Sequence, residues 1–347
     1  MNFYKGQHKF YCGIDLHARK MYLCILDEKG EVKLHRNMDT DREVFLKAIE
    51  PYREDIVVAV ECMFTWYWIA DLCQKENIPF VLGHALYMKA IHGGKAKNDK
   101  IDSQKIAVLL RGGMIPQSYV YPEKMRATRD LMRRRNHLMR KRAELLAHIQ
   151  NTNSQYNLDE TFGCIAVPSK RGNIIDKFDH PAVQKSMEVN LKVIETYDAT
   201  LHDLEKTILR LAQYHNPVSY ALLDSIYGIG KIGALTTILY EIENIKRFPR
   251  VQDFVSYARL VKCSHESNGK KYGNGGSKIG NAHLKWAFSE AAALFLRGND
   301  PAKKWFERLT KKHGKGKALS ILAHKLGRAV YFILKNKEAF DMQKFLR

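Results

Sequence analysis

The feature that most restricts the fold is an unbroken apolar run that ends on a carboxylate. Ile56-Val-Val-Ala-Val60 contains no polar residue and is followed directly by Glu61. Such a run is typical of a central strand covered by helices on both faces. A carboxylate at the end of a buried strand is costly unless a partner or a metal ion compensates it. Glu61 is therefore a candidate functional residue.

The segments around this run predict an α/β domain over residues 1–122. Strands are predicted at Phe10–Asp15, Met21–Leu26, Glu31–Arg36 and Pro79–Leu82. Helices are predicted at about 41–49, capped near Thr40, and at about 64–75 and 100–111. The first three strands are spaced closely enough for an antiparallel meander. The resulting order, β-β-β-α-β-α-β-α, is that of the ribonuclease H-like fold.

Three further acids occupy positions that suit this fold. Asp15 ends the first strand, which neighbours the Glu61 strand in a ribonuclease H-like sheet, and Asp99 and Asp102 begin a helix. A spacing of three places the last two on one helical face. Converging carboxylates bind Mg²⁺ or Mn²⁺, and two metal ions can stabilise the attacking and leaving oxygens of a phosphodiester. The alternatives are a turn role for Asp15 and an N-cap role for Asp99.

The rest of the chain is predicted to be mostly helical. Residues 123–214 are expected to form a basic helical hairpin or coiled coil, and 215–347 a C-terminal domain. The first hairpin helix carries the expected nucleic-acid contacts Arg133, Arg134, Arg135, Arg140, Lys141 and Arg142. The second has an a/d pattern from Ile194 to Leu211, which suits a bundle core or dimerisation equally. In the last part, Gly228-Ile-Gly230 resembles a helix-hairpin-helix turn that faces a phosphate.

A polar loop over residues 264–278 is rich in glycine, lysine and serine. Glycines let a backbone approach phosphate closely, and Lys270, Lys271 and Lys278 add positive charge. A serine here attacks a phosphodiester only if a metal or a base activates it. Composition alone favours a flexible phosphate-binding loop without covalent chemistry.

The charge balance points to a polyanionic partner. The chain has 57 Lys and Arg against 37 Asp and Glu, for a net charge of +20. Nucleic acid is the expected partner of so basic a protein. The six cysteines show no zinc spacing, residues 1–9 lack the apolar core of a secretory signal, and no apolar run is long enough for a membrane span. We expect a prokaryotic cytoplasmic protein, associated with the nucleoid when bound to DNA, with no membrane contact.

The sequence resembles the IS110/IS1111 transposases and the related DNA invertases of the pilin-inversion type. The N-terminal resemblance lies in Gly13-Ile-Asp15, Val60-Glu61 and Lys97-Asn-Asp99-Lys-Ile-Asp102, which match a DEDD, RuvC-like domain. C-terminal matches include Gly228-Ile-Gly230, Tyr257-Ala-Arg-Leu260, Ser267-Asn-Gly-Lys270 and Ser277-Lys-Ile-Gly-Asn281.

This resemblance implies that Asp15, Glu61, Asp99 and Asp102 bind Mg²⁺, with Mn²⁺ as an alternative. It also implies that a C-terminal serine forms a covalent phosphoserine with DNA. Ser267 matches best by position. The family's usual Ser-Ser-Gly-Gly is replaced by Glu266-Ser-Asn-Gly269, so Ser264 and Ser277 stay open as candidates.

The resemblance further implies a structured noncoding bridge RNA that pairs with donor and target double-stranded DNA, and a homodimer or tetramer. Three alternatives remain at this point. They are a site-specific invertase of the same family, a metal-dependent Holliday-junction-type nuclease that uses water, and a non-catalytic nucleic-acid-binding scaffold.

Overall fold

A computed structural model of the protein describes residues 2–91, 98–158, 165–262, 265–272 and 279–347. The chain divides into two compact units, Met1–Glu123 and Lys124–Arg347. None of the helices in these ranges is long and apolar enough to cross a membrane.

The first unit is built on a mixed five-stranded sheet. Its strands are β1 Phe10–Leu16, β2 Lys20–Asp27, β3 Val32–Asp39, β4 Ile56–Glu61 and β5 Phe80–Gly83. They lie in the order β3-β2-β1-β4-β5. The first three strands are antiparallel, whereas β4 runs parallel to β1 and β5 parallel to β4. This arrangement is consistent with the ribonuclease H-like fold that the sequence predicts.

Helices cover both faces of the sheet. They are α1 Arg42–Ile49, α2 Tyr67–Lys75, α3 Ala85–Ile91 and α4 Asp99–Arg111. Because side chains alternate along a strand, Val58 packs into the core beneath α1 and α2, whereas Val57 and Ala59 pack beneath α3 and α4. Every residue from Ile56 to Val60 is at most 2% exposed, so the prediction of a strand buried on both faces is confirmed.

Several helix limits differ from the predicted ones. Helix α1 is capped by Asp41 rather than Thr40, because the Asp41 carboxylate accepts the backbone N–H groups of Glu43 and Val44. Helix α2 begins at Tyr67, three residues after the predicted start. Helix α3 has no counterpart in the prediction.

The second unit begins with two long helices, α5 Glu123–Gln155 and α6 Pro181–His215. The polar contacts between them include Arg135 with Glu205, Arg142 with Asp198 and His148 with Asn190. The partner number on α6 falls as the number on α5 rises, so the two helices run antiparallel. Ile194, Leu201 and Ile208, spaced seven apart, are all buried.

Separate apolar clusters hold the two ends of this helix pair. Far from the chain's C-terminal core, Ile149 on α5 and Met187 on α6 pack with Phe178 from the connecting segment. At the other end, Met132 and Ile208 join the large core formed by the helices that follow.

Those helices make the rest of the second unit mostly α-helical, as predicted. They are α7 Pro217–Asp224, α8 Thr236–Ile242, α9 Val251–Tyr257, α10 Ala282–Phe295, α11 Asp300–His313, α12 Lys315–Asn336 and α13 Met342–Leu346. A π-helical turn, Lys231–Leu235, leads into α8. Two short strands, β6 His265–Ser267 and β7 Lys270–Tyr272, form a hairpin between α9 and α10.

The glycine turn before α8 packs closely against α10. Gly228 has a φ of +73°, and a Cβ at this position would lie 2.7 Å from the carbonyl oxygen of Leu294. Glycine is therefore required at residue 228 for helix packing, whether or not the turn also meets a phosphate.

Candidate active site

Two of the predicted acids meet at one edge of the sheet. Ile14 of β1 pairs with Val60 of β4 in the parallel ladder, so the next residues, Asp15 and Glu61, are neighbours across the strands. Ile14 and Val60 point into the core beneath α1 and α2. By alternation, Asp15 and Glu61 lie on the opposite face, on the side of α4.

Helix α4 brings the other two acids to the same face, and Gly13 permits its close approach. A Cβ on Gly13 would lie 2.3 Å from the backbone nitrogen of Ala107 and 2.4 Å from the carbonyl oxygen of Ser103. Only a residue without a side chain lets α4 pack this tightly on β1. Asp99 and Asp102 occupy the first turn of the helix.

The N-terminus of α4 is fixed by polar contacts that leave Asp99 out. The Asn98 side chain caps the helix by accepting the N–H of Ile101 at 2.8 Å. The Nε2 of His35 lies 2.9 Å from the carbonyl oxygen of Lys100 and ties this end to β3. Since Asn98 is the N-cap, the alternative capping role of Asp99 is wrong.

The structure brings Asp15 and Asp99 together and adds a histidine that the sequence interpretation left unassigned. The Nε2 of His17 lies 3.4 Å from Asp15 Oδ2 and 3.7 Å from Asp99 Oδ1. One ligand atom from each of these three residues falls within 4.8 Å of the others. The only sequence signal for His17 is its place two residues after Asp15.

The other two acids lie near this group but outside it, within the part of the chain that the structure describes. Asp102 interacts electrostatically with Asp15, and the Lys105 ammonium is 3.4 Å from its carboxylate. Glu61 is half-buried beside β5, where its backbone pairs with Gly83.

The electrostatics of Asp15 suit a site for a cation. Burial raises the pKa of the Asp15 carboxyl, and the negative charges of Asp99 and Asp102 raise this pKa further, against the opposing effect of His17. A divalent cation would relieve both the desolvation and the repulsion. Carboxylate oxygens with one imidazole nitrogen form a donor set that accepts Mg²⁺ and suits Mn²⁺ well. The residues present therefore fit a divalent metal.

The predicted serine lies in the β6–β7 hairpin. The backbone of Ser267 pairs with that of Lys270, and Asn268 and Gly269 between them have φ values of +50° and +69°. Positive φ at both central residues is typical of the two-residue type I′ turn, which Asn-Gly favours. Part of the predicted polar loop is thus ordered as a tight hairpin. Ser264, Ser277 and Lys278 lie outside the described residues, as does the side chain of Lys271, whereas Lys270 is exposed.

A buried ionic network holds the chain where it leaves the serine loop. Asn281 caps α10, its backbone N–H donates to Tyr257, and its side-chain amide donates to Glu241 at 2.7 Å. Glu241 is fully buried and also accepts hydrogen bonds from Arg129 at 3.0 Å and from Arg133 at 2.8 Å. Burial opposes ionisation of Glu241, but the arginines and Asn281 outweigh it and lower its pKa to about 2.

Several of the predicted nucleic-acid-binding residues on α5 take part in internal ion pairs. Arg133 binds Glu241, Arg135 binds Glu205, and Arg142 binds Asp198. Lys141 pairs with Glu144 on the surface. Arg134 and Arg140 are exposed. Among these predicted contacts, Arg134 and Arg140 are therefore the residues that form no salt bridge within the described ranges.

Comparison with known protein families agrees with this geometry. Residues 12–158 match the DEDD transposase model of the IS110 group, and residues 220–307 match the model described as transposase IS116/IS110/IS902 family. The first match includes all four acids and the second includes Ser267. No curated protein matches the chain.

The chain combines a mixed sheet, clustered acids and a match to the DEDD transposase model. These features define a transposase, the class of enzyme that cuts and transfers DNA strands. The chain belongs to the IS110 family of transposases.

Proposed function

We propose that this transposase cuts and rejoins DNA by attack of Ser267 on a phosphodiester, at a site where Asp15, Glu61, Asp99 and Asp102 hold Mg²⁺ or Mn²⁺. The observation that carries the proposal is the approach of Asp15 and Asp99 to within 4.8 Å, despite their like charge. The proposal includes Glu61 and Asp102 because β4 and α4 carry them at the same edge of the sheet as Asp15.

When bound, the metal would stabilise the negative charge that develops on the phosphate and on the attacking and leaving oxygens. The chain's own contribution is the nucleophile. The Ser267 Oγ–phosphorus bond forms as the bond from phosphorus to the 3′ oxygen breaks, and the hydroxyl proton passes to the departing 3′ oxygen. A 3′-hydroxyl from another strand then attacks the phosphoserine and returns a proton to Ser267. One ester replaces another at each step, so no nucleotide cofactor is needed.

The hairpin supports Ser267 as the nucleophile, whereas Ser264 and Ser277 lie outside the described residues. Ser267 immediately precedes a turn whose two residues both have positive φ, so its backbone direction is fixed. A fixed backbone holds a nucleophile in one orientation towards its target. Asn281, the N-cap of α10, is likewise held by its buried hydrogen bond to Glu241.

The proposal includes the partners that the family resemblance implies. A noncoding bridge RNA selects donor and target double-stranded DNA, and the active form is a homodimer or tetramer. In this arrangement residues 1–122 supply the acids, 123–214 the helical hairpin for assembly, and 215–347 the serine. The net charge of +20 supports a protein that holds RNA and DNA together.

A covalent-trapping assay tests the nucleophile. The protein is mixed with Mg²⁺, the noncoding RNA encoded beside it and a nicked suicide DNA, and is then run on a denaturing gel. We expect a DNA-linked protein band that Ser267→Ala abolishes and that Ser264→Ala and Ser277→Ala retain. Peptide mass mapping should place the adduct on Ser267.

A second candidate function is a nuclease in which water attacks the phosphodiester. The clustering of Asp15, His17 and Asp99 within the first unit favours it, because these ligands need no residue from the serine hairpin. Cleavage without any adduct, lost in Asp15→Asn and unchanged in Ser267→Ala, would establish this function and contradict the serine mechanism.

A further inference from the structure

The internal ion pairs of α5 raise the question of which surface supplies positive charge to a nucleic acid. Arg133, Arg135 and Arg142 each bind a carboxylate of the same unit. A cation that is already paired releases few counterions when a phosphate arrives, since its charge is largely neutralised. The main backbone-binding surface should therefore lie where exposed cations have no such partner.

The corner between α11 and α12 meets this condition. We call it the α11–α12 corner and define it by Lys304, Arg308, Lys311, Lys312, Lys315 and Lys317. All six residues are exposed. None forms a salt bridge with any residue in the described ranges, although Lys304 lies close enough to lower the pKa of Asp300. Between Lys304 and Lys317 the sequence contains a single acid, Glu307.

The helix fixes the spacing of these charges. Lys304, Arg308 and Lys311 follow each other at i, i+4 and i+7, so they lie on one face of α11. Lys304 and Lys311 are separated by about 10 Å along the helix axis. That distance is close to the axial rise of three base pairs of duplex DNA, at about 3.4 Å each.

The opposite face of α11 anchors the helix to the core of the unit. Ala302 is buried, and Trp305 and Phe306 pack against the large C-terminal cluster. The Lys325 ammonium of α12 lies over the Trp305 ring at 4.8 Å from its centroid. The cations are therefore carried on a rigid element rather than on a loose tail.

We propose that the α11–α12 corner binds the phosphate backbone of duplex DNA, independently of base sequence. The inference rests on the proposed action on DNA and adds the surface that holds the substrate. Trp305 and Phe306 face the core, so the cationic face of α11 offers no exposed aromatic ring on which an unpaired base would stack. It offers no apolar side chain to insert into a lipid surface either.

A salt titration of DNA binding tests the corner. The quadruple variant Lys304→Gln, Arg308→Gln, Lys311→Gln and Lys315→Gln is compared with the unmodified chain. A fluorescent duplex of arbitrary sequence is titrated by anisotropy in EDTA at several salt concentrations. We expect the slope of log K against log salt to become shallower by about 3.6, since each of the four lost contacts contributes about 0.9. The affinity at 0.1 M salt should fall at least about tenfold.

A control variant separates this surface from net charge. Lys9, Lys20, Lys33 and Lys185 each hold a carboxylate at 2.7–2.9 Å. Their replacement by Gln also removes four positive charges. We expect the slope of log K against log salt to change by about 1 or less in this variant. Equal losses in both quadruple variants would overturn the proposal, because net charge alone would then explain binding.

A third arm uses a structured RNA hairpin in place of the duplex. A loss of RNA binding with DNA binding intact would overturn the assignment to DNA. Thermal unfolding of the variants checks that the fold is kept. Because EDTA removes metal ions, no DNA strand is cut in this assay. The binding result therefore tests the α11–α12 corner alone, and the covalent-trapping assay tests the serine mechanism alone.

Discussion

The buried Glu241 network makes stability depend on pH in a calculable way. The folded pKa of Glu241 is about 2, against 4.5 for an ordinary glutamate. A lowered pKa means that the stabilisation is fully present above pH 4.5 and is lost as the pH falls towards 2. The difference of 2.5 corresponds to about 3 kcal/mol at pH 7, and about 1 kcal/mol of it remains at pH 3.

The substitution Glu241→Gln isolates this contribution. The variant keeps the size of the side chain and one acceptor oxygen for Arg129 or Arg133, but it cannot ionise. The free energies of unfolding of both proteins are measured by urea denaturation at pH 7 and pH 3, with far-UV circular dichroism as the signal because the second unit is mostly helical. Other titrating groups cancel in the difference between the two proteins.

We expect that difference to shrink by about 2 kcal/mol from pH 7 to pH 3. A constant difference at both pH values would show that Glu241 is not ionised against its arginines, and the reasoning would fail. Asp203→Asn, at an exposed position on α6, serves as the matched control variant.

Two further predictions concern the first unit. Gly13→Ala places a methyl group against Ala107 and Ser103, so we expect the free energy of unfolding to fall by about 2 kcal/mol or more and Mn²⁺ binding to weaken as α4 shifts. Scanning calorimetry measures the stability and titration calorimetry measures the Mn²⁺ binding. The control Gly172→Ala, whose Cβ would meet nothing within 4 Å, should change neither the stability nor the binding. Asp15→Asn removes a charged ligand and should lower Mn²⁺ affinity by roughly tenfold or more. Electron paramagnetic resonance measures this binding without DNA cleavage, and an unchanged affinity would show that Asp15 is not a metal ligand.

The sequence predicted the sheet because its signals are local. An apolar run closed by Glu61 and a short strand closed by Asp15 are visible within a few residues, and periodicity identifies them. Helix α11 shows no such local signal. Its composition is dominated by charge, and its apolar side consists of little more than Ala302, Trp305 and Phe306.

The site was predictable only where sequence spacing reports geometry. A spacing of three fixes the relation of Asp99 to Asp102, but the approach of Asp99 to Asp15 depends on α4 lying across Gly13, which no local pattern shows. The basic helix illustrates the same limit. Arg133 meets Glu241 across 108 positions of sequence, so counting charges on α5 could not reveal that this one is already paired.

The contacts between α5 and α6 repeat every seven residues, so the helix pair could be shortened by a whole heptad. Arg135 with Glu205 and Arg142 with Asp198 are seven residues apart on both helices. Removing residues 136–142 together with 198–204 would shorten the helix pair by about 10 Å, which is close to the rise of three base pairs of duplex DNA. Each remaining residue would keep its position in the heptad. Because the two ends have separate apolar cores, such a change would leave both intact. The length of the helix pair could therefore be changed in whole heptads while the apolar cluster at each end is kept.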